Sequence, residues 1–339
     1  MRTVSHKSTS HFRTHYCSHS IASVKCRRLV LVCSAIAVLG LSQPACAQFT
    51  DPRNYENFPV GVNQLELAYS YARANSSIDP AIVIAGAKLN LNQTSLGYTR
   101  YFSFFHRMAW IEPSVPIAVL NGSISGTNVN GSVAGAGDSS YGFATLLKGG
   151  AALSVEEFTN YKPTTTVGVS VAVTAPTGLY DPNKVLNLGS DRWSFKPEVA
   201  VSYPFGPEQK WAFDGYANSY FYTANTSYRR VEILRQQPLP GFEGHLSYLF
   251  LDSVLVSLDA RCSFRGDTSV NGVSQNDSQS NFILGSEVII ELNARNSLSV
   301  TLAKAVVHQN GPDVTGISVK YDYLWGKGYR SGGGDPRMR

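Results

Sequence analysis

Charged side chains recur two residues apart in this chain: Lys196 and Glu198, Glu243 and His245, Asp259 and Arg261, Lys320 and Asp322. That spacing puts both members on one face of an extended strand, where opposite charges bridge within or across strands and line a polar surface. The same parity carried along the flanking segments adds Glu66, Glu112, Lys148, Asp214 and Glu287. His245 and Ser247 share the face, a combination that hydrolases use. No Gly-x-Ser-x-Gly elbow accompanies them, and a His-x-Ser pair arises readily by chance, so no catalytic residue and no enzyme is expected. His106 and His308 have no His or Cys at ligand spacing, and neither a metal nor another cofactor is expected.

The opposite face of the same segments is apolar. In 64–71, Leu65, Leu67, Tyr69 and Tyr71 alternate with Gln64, Glu66, Ala68 and Ser70. Val167, Val169, Val171 and Val173 alternate with Gly168, Ser170, Ala172 and Thr174, and Leu246, Tyr248 and Phe250 with His245, Ser247 and Leu249. Strands are expected at 63–74, 89–102, 107–120, 140–152, 164–176, 193–204, 209–223, 241–251, 253–265, 280–292, 297–308 and 315–325. Their connections are of two kinds. Short ones fall at 103–106, 204–208, 252 and 293–296, and long ones rich in Gly, Asn, Ser and Asp at 121–139, 176–192, 225–240 and 266–279. An even number of apolar-out strands with short turns at one end and long loops at the other is the pattern of an all-β, up-and-down transmembrane barrel. Aromatic residues gather near the strand ends, among them Tyr101, Phe102, Phe104, Phe105, Tyr203, Phe205, Trp211, Phe213, Phe221, Tyr222, Tyr321, Tyr323 and Trp325. Amphipathic rings at two heights suit the two membrane–water interfaces.

The first 47 residues read as a secretory signal peptide. Lys25, Arg27 and Arg28 precede an apolar run at 29–41, and Ala45-Cys46-Ala47 offers a small-residue cleavage site. Thirteen residues in that run are too few for the roughly 20 that a membrane-crossing helix requires. Removing the leader takes six of the 29 basic residues and none of the 24 acidic ones, so the exported chain is close to neutral and its basic character belongs to the leader. A nucleic-acid partner is therefore not expected, because binding one needs a retained basic surface. Cys262 becomes the single remaining cysteine and falls in apolar phase with Val254, Val256, Leu258, Ala260 and Phe264, which excludes an internal disulfide. The expected organisation is signal peptide 1–47, N-terminal segment 48–62, barrel 63–325 and tail 326–339.

One loop is more specific. Pro176-Thr177-Gly178-Leu179-Tyr180-Asp181-Pro182-Asn183-Lys184 is followed by Asn187-Leu188-Gly189 and by Arg192-Trp193-Ser194-Phe195-Lys196-Pro197. This run resembles the outer-membrane proteins grouped under the meta-pathway of phenol degradation, and a weaker match extends over most of the exported chain. The resemblance implies a barrel of the bacterial outer membrane that passes small molecules, aromatic or hydrophobic ones among them. Its partners would be outer-membrane lipid and the barrel assembly machinery. The chain departs from the pattern at Leu179, where an acidic residue is common, and in the tail after the last strand. Turn chemistry explains each residue type in the loop: Pro176 and Pro182 stiffen it, Gly178 and Gly189 turn it, and Asp181 bonds its own backbone. Tyr180 and Asn187 complete the motif, which reads as an external loop folded back on the barrel rim.

A bore of about twelve strands lies between barrels filled by side chains and open porins. A narrow channel lined by Glu66, Glu112, Lys196, Glu198, Asp214, Glu243, His245, Asp259, Arg261, Glu287, Lys320 and Asp322 follows, with the irregular, Pro-containing segment 49–62 as a candidate plug. A structural or adhesive barrel is the alternative; a hydrolase is the more distant one.

Overall fold

The computed structural model describes residues 49–75, 87–126, 128 and 130–326. The signal peptide and the tail beyond Gly326 read from the sequence lie outside the described residues. In chain order the strands are β1 (Val62–Ala74), β2 (Ala87–Phe104), β3 (Arg107–Ile124), β4 (Asn130–Ala136), β5 (Ser139–Lys148), β6 (Thr166–Ala175), β7 (Ser194–Phe205), β8 (Trp211–Tyr222), β9 (Asn225–Tyr228), β10 (Glu232–Gln236), β11 (Leu239–Leu251), β12 (Val254–Arg265), β13 (Thr268–Val270), β14 (Val273–Ser274), β15 (Gln279–Asn293), β16 (Asn296–Gln309) and β17 (Val314–Gly326).

Twelve of these strands close into an antiparallel barrel. From β1 the wall runs through β17, β16, β15, β12, β11, β8, β7, β6, β5 and β3 to β2, which pairs back onto β1. Closure is what makes a sheet tolerable in lipid, since it leaves no edge of unpaired backbone groups in hydrocarbon. Each strand expected from the alternation corresponds to one barrel strand, with ends displaced by no more than four residues. β4 runs along the outer half of β3, while β5 pairs with its inner half. The loops 223–238 and 266–278 contribute a separate four-stranded sheet of β9, β10, β13 and β14, whose polar strands are too short to show as alternation.

Parity behaves as expected on the long strands. On β1, Leu65, Leu67 and Tyr69 are 40–50% exposed and face outward, while Gln64, Ala68 and Ala72 are buried. Cys262 pairs with Phe242 on one side and Phe282 on the other, on the outward face. Lys148 departs from the expectation. A bulge between Leu146 and Lys148 sets Lys148 opposite Val167, on the outward face, because one extra residue reverses the phase of everything after it. The predicted continuation of that strand to residue 152 gives way to the connection 149–165. It contains one helical turn, α1 (Val155–Phe158), in which Ser154 and Glu157 form a reciprocal capping box and Phe158 is buried.

Candidate functional site: the barrel interior

Residues 49–61 lie against the inward face of the wall, and the wall is shaped for them. Tyr55 is buried with its ring against Trp110 and Tyr216, centroids 5.3 and 5.2 Å away, and its hydroxyl donates to Ser170 Oγ or Glu198 Oε1, both at 2.8 Å. Its carbonyl accepts from Thr166 Oγ1 at 2.6 Å. A Cβ at Gly168 would lie 2.5 Å from the Tyr55 ring, and one at Gly285 would lie 2.5 Å from the Phe49 ring. Two strand glycines thus make room for the two aromatic rings, the close approach that glycine in a strand permits. Phe49 packs with Ile283, Ala303 and Ala305, and Phe58 stacks near Tyr101.

Polar contacts continue along the segment. Thr50 N donates to Glu243 Oε1 at 2.6 Å, and Arg53 N donates to Asp214 Oδ2 at 3.0 Å. The Arg53 guanidinium is buried, with Nε donating to Ser247 Oγ at 3.0 Å, Nη2 to the Lys210 carbonyl at 2.8 Å, and Nη1 3.8 Å from Glu56. Asp51 pairs with Lys320, which also lies 4.0 Å from Glu66. Val60 N and Gly61 N donate to the carbonyls of Leu153 and Tyr101, tying the segment to the short-turn end of the barrel. The hydrogen bonds and ion pairs of the segment reach β2, β6, β7, β8, β11 and β17, and its ring contacts add β3, β15 and β16.

The charged residues read from parity form a band around this segment. His245 sits between two carboxylates, Nδ1 2.8 Å from Asp259 Oδ1 and Nε2 3.1 Å from Glu243 Oε1. Both ring nitrogens are therefore engaged, and Ser247 accepts from Arg53, so His245 and Ser247 do not form a nucleophile–base pair. Arg261 is opposite Glu243 across the β11–β12 ladder. Lys196 and Glu198 pair at 3.2 Å, and Asn218 donates to the same carboxylate at 3.0 Å. Glu112 accepts from Trp110 Nε1 at 3.2 Å and lies over Gly142. Asp322 accepts from Gln64 at 2.8 Å, and Glu287 is buried opposite Ser257. Of the four pairs spaced by two, Lys196–Glu198 and Glu243–His245 bond within the pair, while Lys320 turns to Asp51 and Glu66.

Nearer the long-loop end the interior changes character. Ala72, Leu89, Leu91, Ala118 and Leu120 face inward and form an apolar patch onto which Leu186 and Leu188 of the loop 176–192 are packed. The loop is bound to the wall through Asp138, whose carboxylate accepts from Gly178 N at 2.8 Å, Ser190 N at 2.8 Å and Ser190 Oγ at 2.6 Å. Asn187 Nδ2 donates to the Asp181 and Lys184 carbonyls, and Asp181 N donates to Asn187 Oδ1 at 2.8 Å. The backbone N–H and side-chain amide of Asn183 hold the exposed Asp181 carboxyl below its usual range. Gly178 and Gly189 touch, so that a Cβ on either would meet the other's backbone, and Tyr180 OH accepts from Asn225 at 3.0 Å. Pro176 opens the loop directly after β6. The motif residues thus hold a loop that reaches inside the mouth, beyond the rim. Segment 49–62 was a candidate plug from its irregularity, but nothing singled out Arg53 or Tyr55 within it, or Asp138; the strand glycines 168 and 285 were the nearest available signal.

A closed twelve-stranded barrel with a lipid-facing apolar exterior and a polar interior has the fold of an outer-membrane channel, which places it in the bacterial outer membrane. The family described as "Putative MetA-pathway of phenol degradation" matches residues 72–321, and the chain belongs to that family. Among solved structures it is similar to an outer membrane channel from Pseudomonas putida F1, with a TM-score of 0.69 and 20% identity over 82% of this chain and 100% of that one. The beta domain of the Bordetella autotransporter BrkA aligns with a TM-score of 0.43 and 10% identity over 79% of this chain and 99% of that one. No curated protein matches the sequence.

Proposed function

We propose that the protein is a channel for small solutes, closed in the form described by its own residues 49–61, and that it admits molecules with an apolar or aromatic body through the mouth beneath the loop 176–192. The observation that carries the closure is the seating of Tyr55 and Arg53 among wall side chains from β6, β7, β8 and β11. The apolar patch supports the choice of solute. A lumen face that met only water and ions would be polar, whereas Leu89, Leu91 and Leu120 line this one and are covered by the chain's own leucines. Small molecules with apolar surface compete for such a patch by the same burial that holds Leu186 and Leu188.

Planar-bilayer recording of the exported chain and of a variant lacking 49–61 tests the closure. A small conductance that rises severalfold on deletion is expected, and equal conductance would overturn the reading. Uptake of a panel of aromatic and aliphatic solutes by cells with the protein, without it, or with Leu91→Asp tests the solute class. Aromatic uptake should depend on the protein and fall in the variant; no dependence would dismiss the assignment.

A further inference from the structure

The groups that hydrogen-bond Arg53 belong to the wall, while the carboxylate facing its Nη1, Glu56, belongs to the segment. Ser247 Oγ, the Lys210 carbonyl and Asp214 Oδ2 take the Nε–H, an Nη2–H and the backbone N–H of Arg53. When the segment withdraws, all three remain in place on β8, β11 and the turn between β7 and β8. The Tyr216 ring of β8 lies against Tyr55 and His245, and Glu243 of β11 is opposite Tyr216 in the ladder. Fixed charge in the band points the same way. The inward carboxylates are Glu66, Glu112, Glu198, Asp214, Glu243, Asp259, Glu287 and Asp322, against the basic side chains Lys196, His245, Arg261 and Lys320. Loss of the segment opens no matching anion site, because Lys320 keeps Glu66 after Asp51 leaves.

We propose that the place occupied by the Arg53 side chain is a receptor for a planar organic cation, a guanidinium or amidinium group, which a permeating solute presents once residues 49–61 have moved aside. This inference rests on the reading of that segment as the closing element, and it adds a charge preference to the solutes named above: an apolar body carrying a cationic head. Planar N–H donors suit the cradle because Ser247 Oγ and the Lys210 carbonyl already receive the Nε–H and Nη2–H edge of a guanidinium, and hydrogen bonds from an ionised donor are charge-assisted. A neutral molecule of the same shape makes the same number of hydrogen bonds without that assistance.

The test is a calorimetric titration of the folded, full-length exported protein in micelles with methylguanidinium, and with methylurea as its neutral isostere. In Arg53→Gln, saturable binding of methylguanidinium is expected, about tenfold or more tighter than methylurea, and in the unaltered protein with its cradle filled, none over the same range. Adding Ser247→Ala, which removes a side-chain acceptor of the cradle, to Arg53→Gln should weaken binding about tenfold. Arg53→Met serves as a second route to the empty cradle if Arg53→Gln does not give the heat-shifted band of a folded barrel. Equal binding of methylurea, absence of saturation, or indifference to the Ser247 substitution overturns the proposal. Conductance of the same Arg53 variant separates the two readings. Binding without a rise in conductance leaves the receptor standing and removes the closing role of the segment; a rise without binding does the reverse.

Discussion

Tyr55 offers a graded test of how the segment is held. Tyr55→Phe removes one hydroxyl that bonds Ser170 and Glu198 and leaves the ring in place. Glu198 is not stranded, since Lys196 at 3.2 Å and Asn218 at 3.0 Å still satisfy it. The loss is that of a hydrogen bond to a charged group, about 1.5–3 kcal/mol, or roughly 10- to 100-fold in the ratio of seated to unseated segment. Tyr55→Ala also deletes a buried ring that packs on Trp110 and Tyr216 and fills the space over Gly168. Removing a buried aromatic side chain costs about 3–5 kcal/mol, so the ratio should fall by a further factor of 10² or more. Single-channel recording reads the outcome as the fraction of time spent in the high-conductance state, which should rise in the order unaltered protein, Tyr55→Phe, Tyr55→Ala. The backbone bond from Thr166 to the Tyr55 carbonyl is untouched in all three, so register is retained. If Tyr55→Ala conducts like the unaltered protein, or if Phe has the larger effect, the segment is not held by this contact and the reasoning fails.

Two further outcomes follow from the wall and the loop. Asp138→Ala removes three bonds that hold 176–192 in the mouth, so trypsin should cut after the exposed Lys184 roughly 10- to 100-fold faster, as local release costs less; unchanged digestion would show that Leu186 and Leu188 suffice. Cys262, paired with Phe242 and Phe282 on the outward face, should react in bilayers with a lipid-soluble maleimide and resist a charged one; the opposite selectivity would reverse the assigned parity of β12.

Much of the barrel was legible because a strand in lipid obeys a local rule. Period-two alternation at Leu65, Leu67 and Tyr69 states which face meets hydrocarbon, and closure then requires an even set of such strands. The rule failed where locality fails. The bulge before Lys148 inserts one residue without leaving any mark in composition, and it turned an inward assignment outward. The charge pairs share a strand face by their spacing, yet their partners were not predictable from it. His245 is held by Asp259 of the next strand as well as by Glu243 of its own, and Lys320 binds an aspartate 269 residues away.

The alternation and the connections between strands determined the barrel and its inner and outer faces. Those features depend on near neighbours along the chain and on the demand that lipid leave no backbone group unpaired. Segment 49–62 could be named as a candidate plug from the sequence, but only the tertiary structure decided which of its residues the wall holds and by what contacts. Arg53 and Tyr55 lie in an irregular stretch with no period to read, and their partners, Ser247, Asp214, Ser170 and Glu198, are brought to them by strands more than a hundred residues distant. Leu186 and Leu188 look like ordinary loop residues until the inward leucines of β2 and β3 are found beneath them. A contact made across the bore carries no signature in local sequence, because it depends on the register of every strand between its two ends.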